Sequence, residues 1–298
     1  MLMMVAQLLT SITLATVHRD WAVVTGASSG IGAEISRLAA DRGYNLILAA
    51  RRRDRLEKLA AEIGDSSGAL VECVACDLSS TEGVASLCEV SNRHPISLAV
   101  LNAGVCESGG LCELSDAQVA KVLDLNVRTT TTLLRHFGGM MPGAKGDGSM
   151  GRILLIASSA AAAPGIPGVA TYAASKAYLR SLAHGARAEL KSGGLSITCA
   201  MPSAVDGTEF SANSGLERSA IFSLPGGVRR LGGTVMSADA VAKCALDAAL
   251  RGRAEVVPGL FPRVFVGMTD RRLLPGRWAR GIAAFCFADA PFGRGETR

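Results

Sequence analysis

Aromatic residues make up only 4% of the chain, and its basic residues are scattered rather than massed. The 31 Lys and Arg against 26 Asp and Glu leave a net charge of +5, and the one dense run is Arg51-Arg52-Arg53-Asp54-Arg55. A nucleic-acid surface needs a basic patch with interleaved aromatics, so nucleic acid is excluded as a partner. Eight cysteines are spread along the chain, and Cys73 and Cys76 form a C-x-x-C. No second pair and no histidine stands at metal-site spacing, so no metal is expected, and the thiols read as free core groups of a reducing compartment. The first 17 residues carry no charge but are interrupted by Gln7, Thr10, Ser11, Thr13 and Thr16. They fall short of the roughly 20 apolar residues of a spanning helix, and they lack the basic start and cleavage site of a secretory signal. Three readings stay open for residues 1–19: a segment lying on the protein itself, a membrane-attaching segment, or a cleaved targeting peptide.

What the chain does have is the material for a large core, with 49% hydrophobic and 19% charged residues over 298 positions. Short apolar runs recur at WAVVTG (21–26), NLILAA (45–50), ALVECVAC (69–76), SLAVLNAG (97–104), RILLIASS (152–159) and LSITCAMP (195–202). Runs this continuous suit strands buried on both faces. Between them lie segments such as EISRLAADRG and RLEKLAAEIGD, apolar at three- and four-residue steps, with Gly43 and Gly64 as expected stops. Strand alternating with helix predicts an α/β fold, a doubly wound parallel sheet with helices on both faces. Ligands of such sheets sit at the carboxyl ends of the strands, so function is sought there.

Three of those ends are unusual. Gly26-x-x-x-Gly30-x-Gly32 follows the first strand and opens a helix, where missing side chains let backbone N–H groups approach a pyrophosphate. Alone, this motif is equally a tight turn in a chain of 34 glycines. The tip of the second strand lacks the carboxylate that would bond a ribose 2′-OH and offers Arg51 instead, whose planar fork suits a 2′-phosphate. Arg52 and Arg53 read as the solvated start of a helix. Asp77-Leu78 and Asn102-Ala103-Gly104 close the third and fourth strands. After the fifth come Ser158-Ser159 and then Tyr172-Ala-Ala-Ser-Lys176. Four residues apart on a helix, Tyr172 and Lys176 share a face, and an ammonium near a phenol lowers its pKa toward working pH.

In order and spacing, TGASSGIG, Asp77, Asn102-Ala103-Gly104, Asn126 in LDLNV, the serine after the fifth strand and YAASK resemble the motifs of the short-chain dehydrogenases/reductases over about residues 20–257. The resemblance implies a single Rossmann-type domain of about seven strands that transfers hydride between a nicotinamide cofactor and a carbonyl or alcohol. By position it makes Tyr172 the catalytic acid and base. Lys176 holds the nicotinamide ribose and lowers the tyrosine pKa, Ser159 orients the substrate oxygen, and Asn126 sustains a proton relay. It puts Gly26, Ser28, Ser29, Gly30, Ile31 and Gly32 on the pyrophosphate, Arg51 on the 2′-phosphate and Asp77 and Leu78 on the adenine. Asn102, Ala103 and Gly104 fall on the ribose side, with Tyr172, Lys176 and Pro202 completing the cofactor set. The cofactor expected is NADP(H) ahead of NAD(H), in a homodimer or homotetramer.

The chain departs from the family pattern after the sixth strand. It reads Pro202-Ser203-Ala204-Val205-Asp206-Gly207-Thr208, with serine for a usual glycine and one extra residue before the threonine. Residues 207–236 fall where the family builds a substrate lid, and Phe210, Leu216, Ile221, Phe222 and Leu224 give that lid an apolar character. A lipophilic carbonyl substrate, ketoacyl or steroid-like, is expected. The tail, 258–298, mixes apolar residues with arginines and can pack over the cleft, complete an oligomer, or rest on a membrane. A cytoplasmic enzyme is expected, with membrane contact through either terminus as the alternative. A catalytically silent, nucleotide-binding scaffold of the same fold is the rival function.

Overall fold

The computed structural model describes residues 20–141, 150–214, 219–223 and 231–287. The N-terminal run 1–19 lies outside them, as do Leu216 and Leu224 of the expected lid and the end of the tail from 288. Six apolar runs form strands where the sequence puts them: β1 (Trp21–Thr25), β2 (Asn45–Ala50), β3 (Val71–Ala75), β4 (Ile96–Leu101), β5 (Arg152–Ile156) and β6 (Ser196–Ala200). Two short strands, β7 (Ala204–Asp206) and β8 (Val235–Ser237), pair with each other alone. A seventh strand of the main sheet, β9 (Glu255–Val256), is only two residues long and hydrogen-bonds to β6. Nothing so short shows a periodicity, and β9 completes the seven strands that the family resemblance implies.

The main sheet is parallel, in the order β3-β2-β1-β4-β5-β6-β9, so strand order reverses between β1 and β4. Every residue of β2 and β4 is buried, as a strand covered on both faces requires. One face is covered by helices α1 (Gly30–Asp41) and α2 (Arg53–Ser67), whose Ile35, Leu56 and Ile63 are buried against Leu46 and Leu48. The other face carries α3 (Thr81–Ser91), α4 (Asp116–Val122), α5 (Thr130–Met140) and the long α6 (Ala170–Leu190), which bury Leu87, Leu133, Phe137 and Leu179. Each such side chain contributes about 1.5–3 kcal/mol by leaving water. Beyond β6 follow the short helices α7 (Glu209–Asn213) and α8 (Ala220–Ser223), then α9 (Ala238–Leu250), which packs on α1. The chain closes with α10 (Leu260–Asp270) and α11 (Gly276–Phe287).

One stop signal differs from the expectation. Gly43, at φ +89°, follows the end of α1, but α2 runs through Gly64 and ends at Gly68. Gly68 has φ +64° and its N–H returns to the Gly64 carbonyl, the left-handed closure that glycine alone makes without strain. No helix among the described residues is long and apolar enough to cross a membrane.

Candidate active site

A cavity of about 660 Å³ opens over the carboxyl ends of β1 and β4, where the strand order reverses. The β1–α1 turn forms one end of it. Thr25 fastens this turn to β4: its hydroxyl donates to Val100 O and accepts from the amides of Asn102 (2.9 Å) and Ala103 (3.0 Å). In return the Asn102 amide nitrogen donates to Thr25 O at 2.9 Å and Gly26 O at 3.3 Å. Asn102 therefore spends its amide group on shaping the loop. Gly26 has φ +66°, and a Cβ there would sit 2.9 Å from the Asn102 amide nitrogen; at Gly32 it would sit 2.6 Å from the same atom. Ser29 precedes α1 without capping it and no acid stands in the first turn, so the first N–H groups of this helix have no side-chain partner.

The arginines at the tip of β2 divide the work differently from the sequence reading. Arg51 is exposed on the cavity wall. Arg52 is not a merely solvated charge: its Nη2 donates to Ser28 Oγ at 2.9 Å and Ser29 Oγ at 3.1 Å, and its Nη1 to Glu209 at 2.6 Å. Asp77 and Leu78 line the cavity beside Arg51. The Asp77 carboxyl is held below its usual range, first by the Ser79 amide and hydroxyl that donate to it and then by the charge of Arg51.

At the far end stand Tyr172 and Lys176, both buried, with the ammonium 5.6 Å from the phenol ring centre. Lys176 Nζ donates to Ile156 O at 3.0 Å. Asn126 lies in a π-helical stretch, Leu123–Thr129, a local widening common at functional sites. Its Oδ1 accepts from Val105 N and its Nδ2 donates to Val105 O, both at 2.9 Å, and to Ser175 Oγ at 3.0 Å. A Cβ on Gly104 would stand 3.2 Å from Asn126 Oδ1 and 3.3 Å from Lys176 Nζ, so glycine is what lets these two groups face each other. Ala103, Ile31 and Pro202 also lie around the cavity.

The backbone beyond β5 stays extended through Ser158, and Ser159 opens a short 3-10 turn, Ser159–Ala162, that the Ser158 hydroxyl caps by accepting from Ala160 N at 3.1 Å. Ser158 and Ser159 both line the cavity that Tyr172 and Lys176 share. Burial raises the pKa of Tyr172, and the Ser158 hydroxyl offsets part of that rise. Burial also brings Lys176 itself down to about 8, since desolvation disfavours the charged form of a base.

The extra residue before Thr208 is absorbed by Gly207 at φ +67°, and the threonine still reaches the glycine loop, its Cγ2 lying 3.2 Å from where a Cβ on Gly30 would be. The remaining wall is apolar. Phe210, Ile221 and Phe222 come from the expected lid, and Phe261, Phe265, Ile282 and Ala283 from α10 and α11. Of the readings left open for the tail, its described part packs over the cleft. Cys106 shares this wall, its thiol pushed up to about 12 by burial and so neutral packing at ordinary pH. All eight cysteines are free, and no metal-binding cluster occurs among the described residues.

The sequence model of the short chain dehydrogenases matches residues 20–219. The chain belongs to the short-chain dehydrogenase/reductase family. It is an oxidoreductase fold of the Rossmann type, and several relatives bear on it. Nodulation protein G of Rhizobium sp. (strain N33) is 30% identical over 231 residues, which is 76% of this chain and 90% of that protein. The very-long-chain 3-oxoacyl-CoA reductase of Vanderwaltozyma polyspora is 31% identical over 179 residues, 58% of this chain and 51% of the relative. Among solved structures, the short-chain dehydrogenase of Sphingobium yanoikuyae in complex with NADPH superposes with a TM-score of 0.72 at 28% identity, covering 85% of this chain and 94% of its own.

Proposed function

We propose that this chain is an NADP(H)-dependent reductase or dehydrogenase that interconverts a carbonyl and an alcohol on a lipophilic small molecule. The observation that carries this reading is the convergence of Ser159, Tyr172 and Lys176 on one cavity whose other end is a glycine turn with open helix amides. The pocket fits a dinucleotide: Gly26 and Gly32 stand where any side chain would collide with Asn102, and Gly104 keeps the space between Asn126 and Lys176 clear. Arg51 and Arg52 at the tip of β2, with no carboxylate between β2 and α2, favour a phosphorylated ribose. The NADPH complex of the Sphingobium relative agrees with that choice.

Bound in this pocket, the nicotinamide supplies or accepts the hydride. The protein's own groups handle the oxygen. In the reducing direction the Tyr172 hydroxyl delivers its proton to the carbonyl oxygen, and the Ser159 hydroxyl holds that oxygen in place. Lys176, with a pKa near 8, is poised to give and take protons at working pH. Asn126 pins Val105 and so fixes the Gly104 passage beside Lys176. The apolar wall from α7, α8, α10 and α11 excludes water and suits a lipophilic skeleton. Tyr172→Phe tests the assignment: turnover of carbonyl probes (ketosteroids, 3-ketoacyl thioesters, quinones, aldehydes) should fall by at least about a thousandfold while NADPH affinity holds. Retained turnover refutes it. Wild-type protein that NADPH stabilises but that turns over none of these probes would instead be the silent scaffold.

The reading extends to where the enzyme works. The outer side of α10 presents Leu260, Val264 and Met268, and that of α11 presents Trp278 and Phe285. Around them stand five arginines (Arg263, Arg271, Arg272, Arg277 and Arg280) against one carboxylate, Asp270, which Arg180 already engages. Two copies meeting through this face would repel, whereas an anionic lipid surface complements it, so we assign the face to contact with anionic membrane.

A further inference from the structure

One carboxylate already occupies the arginines at the ribose end of the cavity. Glu209 opens α7, on the substrate side of the cleft, and reaches across to α2. Its Oε2 accepts from Arg52 Nη1 at 2.6 Å, and its Oε1 pairs with Arg55. The same Arg52 guanidinium holds the serines of the glycine loop through Nη2, so Glu209, Arg52, Ser28 and Ser29 form one connected set. These ion pairs, with Arg55 the stronger influence, hold the Glu209 carboxyl down to about 2, and it is charged at every working pH. The next residue, Phe210, lies against Tyr172 with 5.8 Å between ring centres. An ion pair bridging two elements at a pocket rim is ordinarily only a surface clamp. This one differs in its place: it engages Arg52, the neighbour on the cavity wall of the Arg51 on which a 2′-phosphate is expected.

We propose that Glu209 is a determinant of cofactor preference, a resident anion that a 2′-phosphate must displace from Arg52 and that an unphosphorylated ribose leaves in place. The inference rests on the NADP(H) reading above. Two anions then compete for one guanidinium. A 2′-phosphate brings more charge and more acceptor oxygens than a carboxylate and wins, but its affinity is reduced by the ion pair it breaks. NAD(H) breaks no such pair. Glu209 therefore narrows the margin by which the arginines favour NADP(H). Because Glu209 and Phe210 are consecutive, releasing the carboxylate also loosens α7 where it touches Tyr172, so the ribose phosphate is felt at the catalytic end of the cavity.

The test uses nucleotide fragments that need no substrate. Dissociation constants of 2′,5′-ADP and 5′-AMP, then of NADPH and NADH, are measured by calorimetry on the full chain for wild type, Glu209→Gln, Glu209→Asp, Arg52→Ala and the Arg52→Ala/Glu209→Gln double variant. Glu209→Gln should tighten 2′,5′-ADP and NADPH by about three- to tenfold, the scale of one partly exposed ion pair. It should leave 5′-AMP and NADH within about twofold. Glu209→Asp, which keeps the charge on a shorter arm, should fall between, and the gain should shrink when Arg52 is absent. Equal tightening of both fragments, or no change or a loss for 2′,5′-ADP, overturns the role of Glu209 and leaves the NADP(H) reading standing. Wild type that does not prefer 2′,5′-ADP to 5′-AMP overturns both. Unchanged melting temperatures of the free variants separate these outcomes from misfolding.

Discussion

Ser158 and Ser159 are adjacent hydroxyls on the cavity wall, and the proposed chemistry needs one of them to hold the substrate oxygen beside Tyr172. The thirteen-residue spacing to Tyr172 assigns that role to Ser159, so Ser159→Ala should lower kcat by about a hundredfold or more, while Ser158→Ala, which removes the cap on Ala160 N, costs less than about tenfold. Steady-state rates of the two variants on the same ketone decide the matter, and the reverse order would pass the role to Ser158. Lys176 carries a thermodynamic signature of its own. Its pKa falls from 10.5 unfolded to about 8 folded, so taking its charge inside costs on the order of 3 kcal/mol at neutral pH. Between these two values the unfolded chain keeps a proton that the folded chain has lost; this contribution to stability therefore rises with pH across the window and is level below it. Lys176→Met removes the penalty but orphans Ile156 O, at about 1 kcal/mol. It should be more stable than wild type by about 2 kcal/mol at pH 7 in urea unfolding, and the gain should vanish by pH 10.5.

Among elements, the β1–α1 turn is the most tightly specified. Gly32→Ala drives a methyl onto the Asn102 amide, which Thr25 and Gly26 already hold. Overpacking of this kind costs about 1–3 kcal/mol, and since the turn must widen to relieve it, NADPH should bind at least about tenfold more weakly. A melting curve and a titration together check this, and unchanged NADPH affinity would place the cofactor elsewhere. This turn was legible in the sequence because glycine spacing, flanking strand and following helix all report on the same local geometry. So were the six long strands, whose continuous apolar runs have no other use. What stayed hidden depends on contacts far apart in the chain. The two-residue β9 exists only because β6 offers it an edge, and Arg52 is distinguished from Arg51 by its bonds to Ser28, Ser29 and Glu209, the last 157 residues away. The desolvation that governs Tyr172 and Lys176 needed the whole enclosure.

At the scale of the whole molecule, the protein turns an apolar, arginine-bordered face outward on the same helices that close its cavity. Flotation should recover it with phosphatidylserine vesicles and leave it behind with neutral phosphatidylcholine, and Arg271→Glu/Arg272→Glu should weaken the first association severalfold. Equal binding to both vesicles, or a concentration-dependent dimer abolished by the same pair, would reassign the face to apolar insertion alone or to a second copy. The residues proposed to handle the proton lie between Asn126 and Lys176, while the phenylalanines of the cavity wall, Phe210, Phe222, Phe261 and Phe265, all come from Phe210 onward. Inheritance can therefore act on the two parts separately. Substitutions in the last third of the chain can retune which skeletons are admitted without disturbing the chemistry, and a lineage carrying this fold can acquire a new substrate without passing through an inactive ancestor.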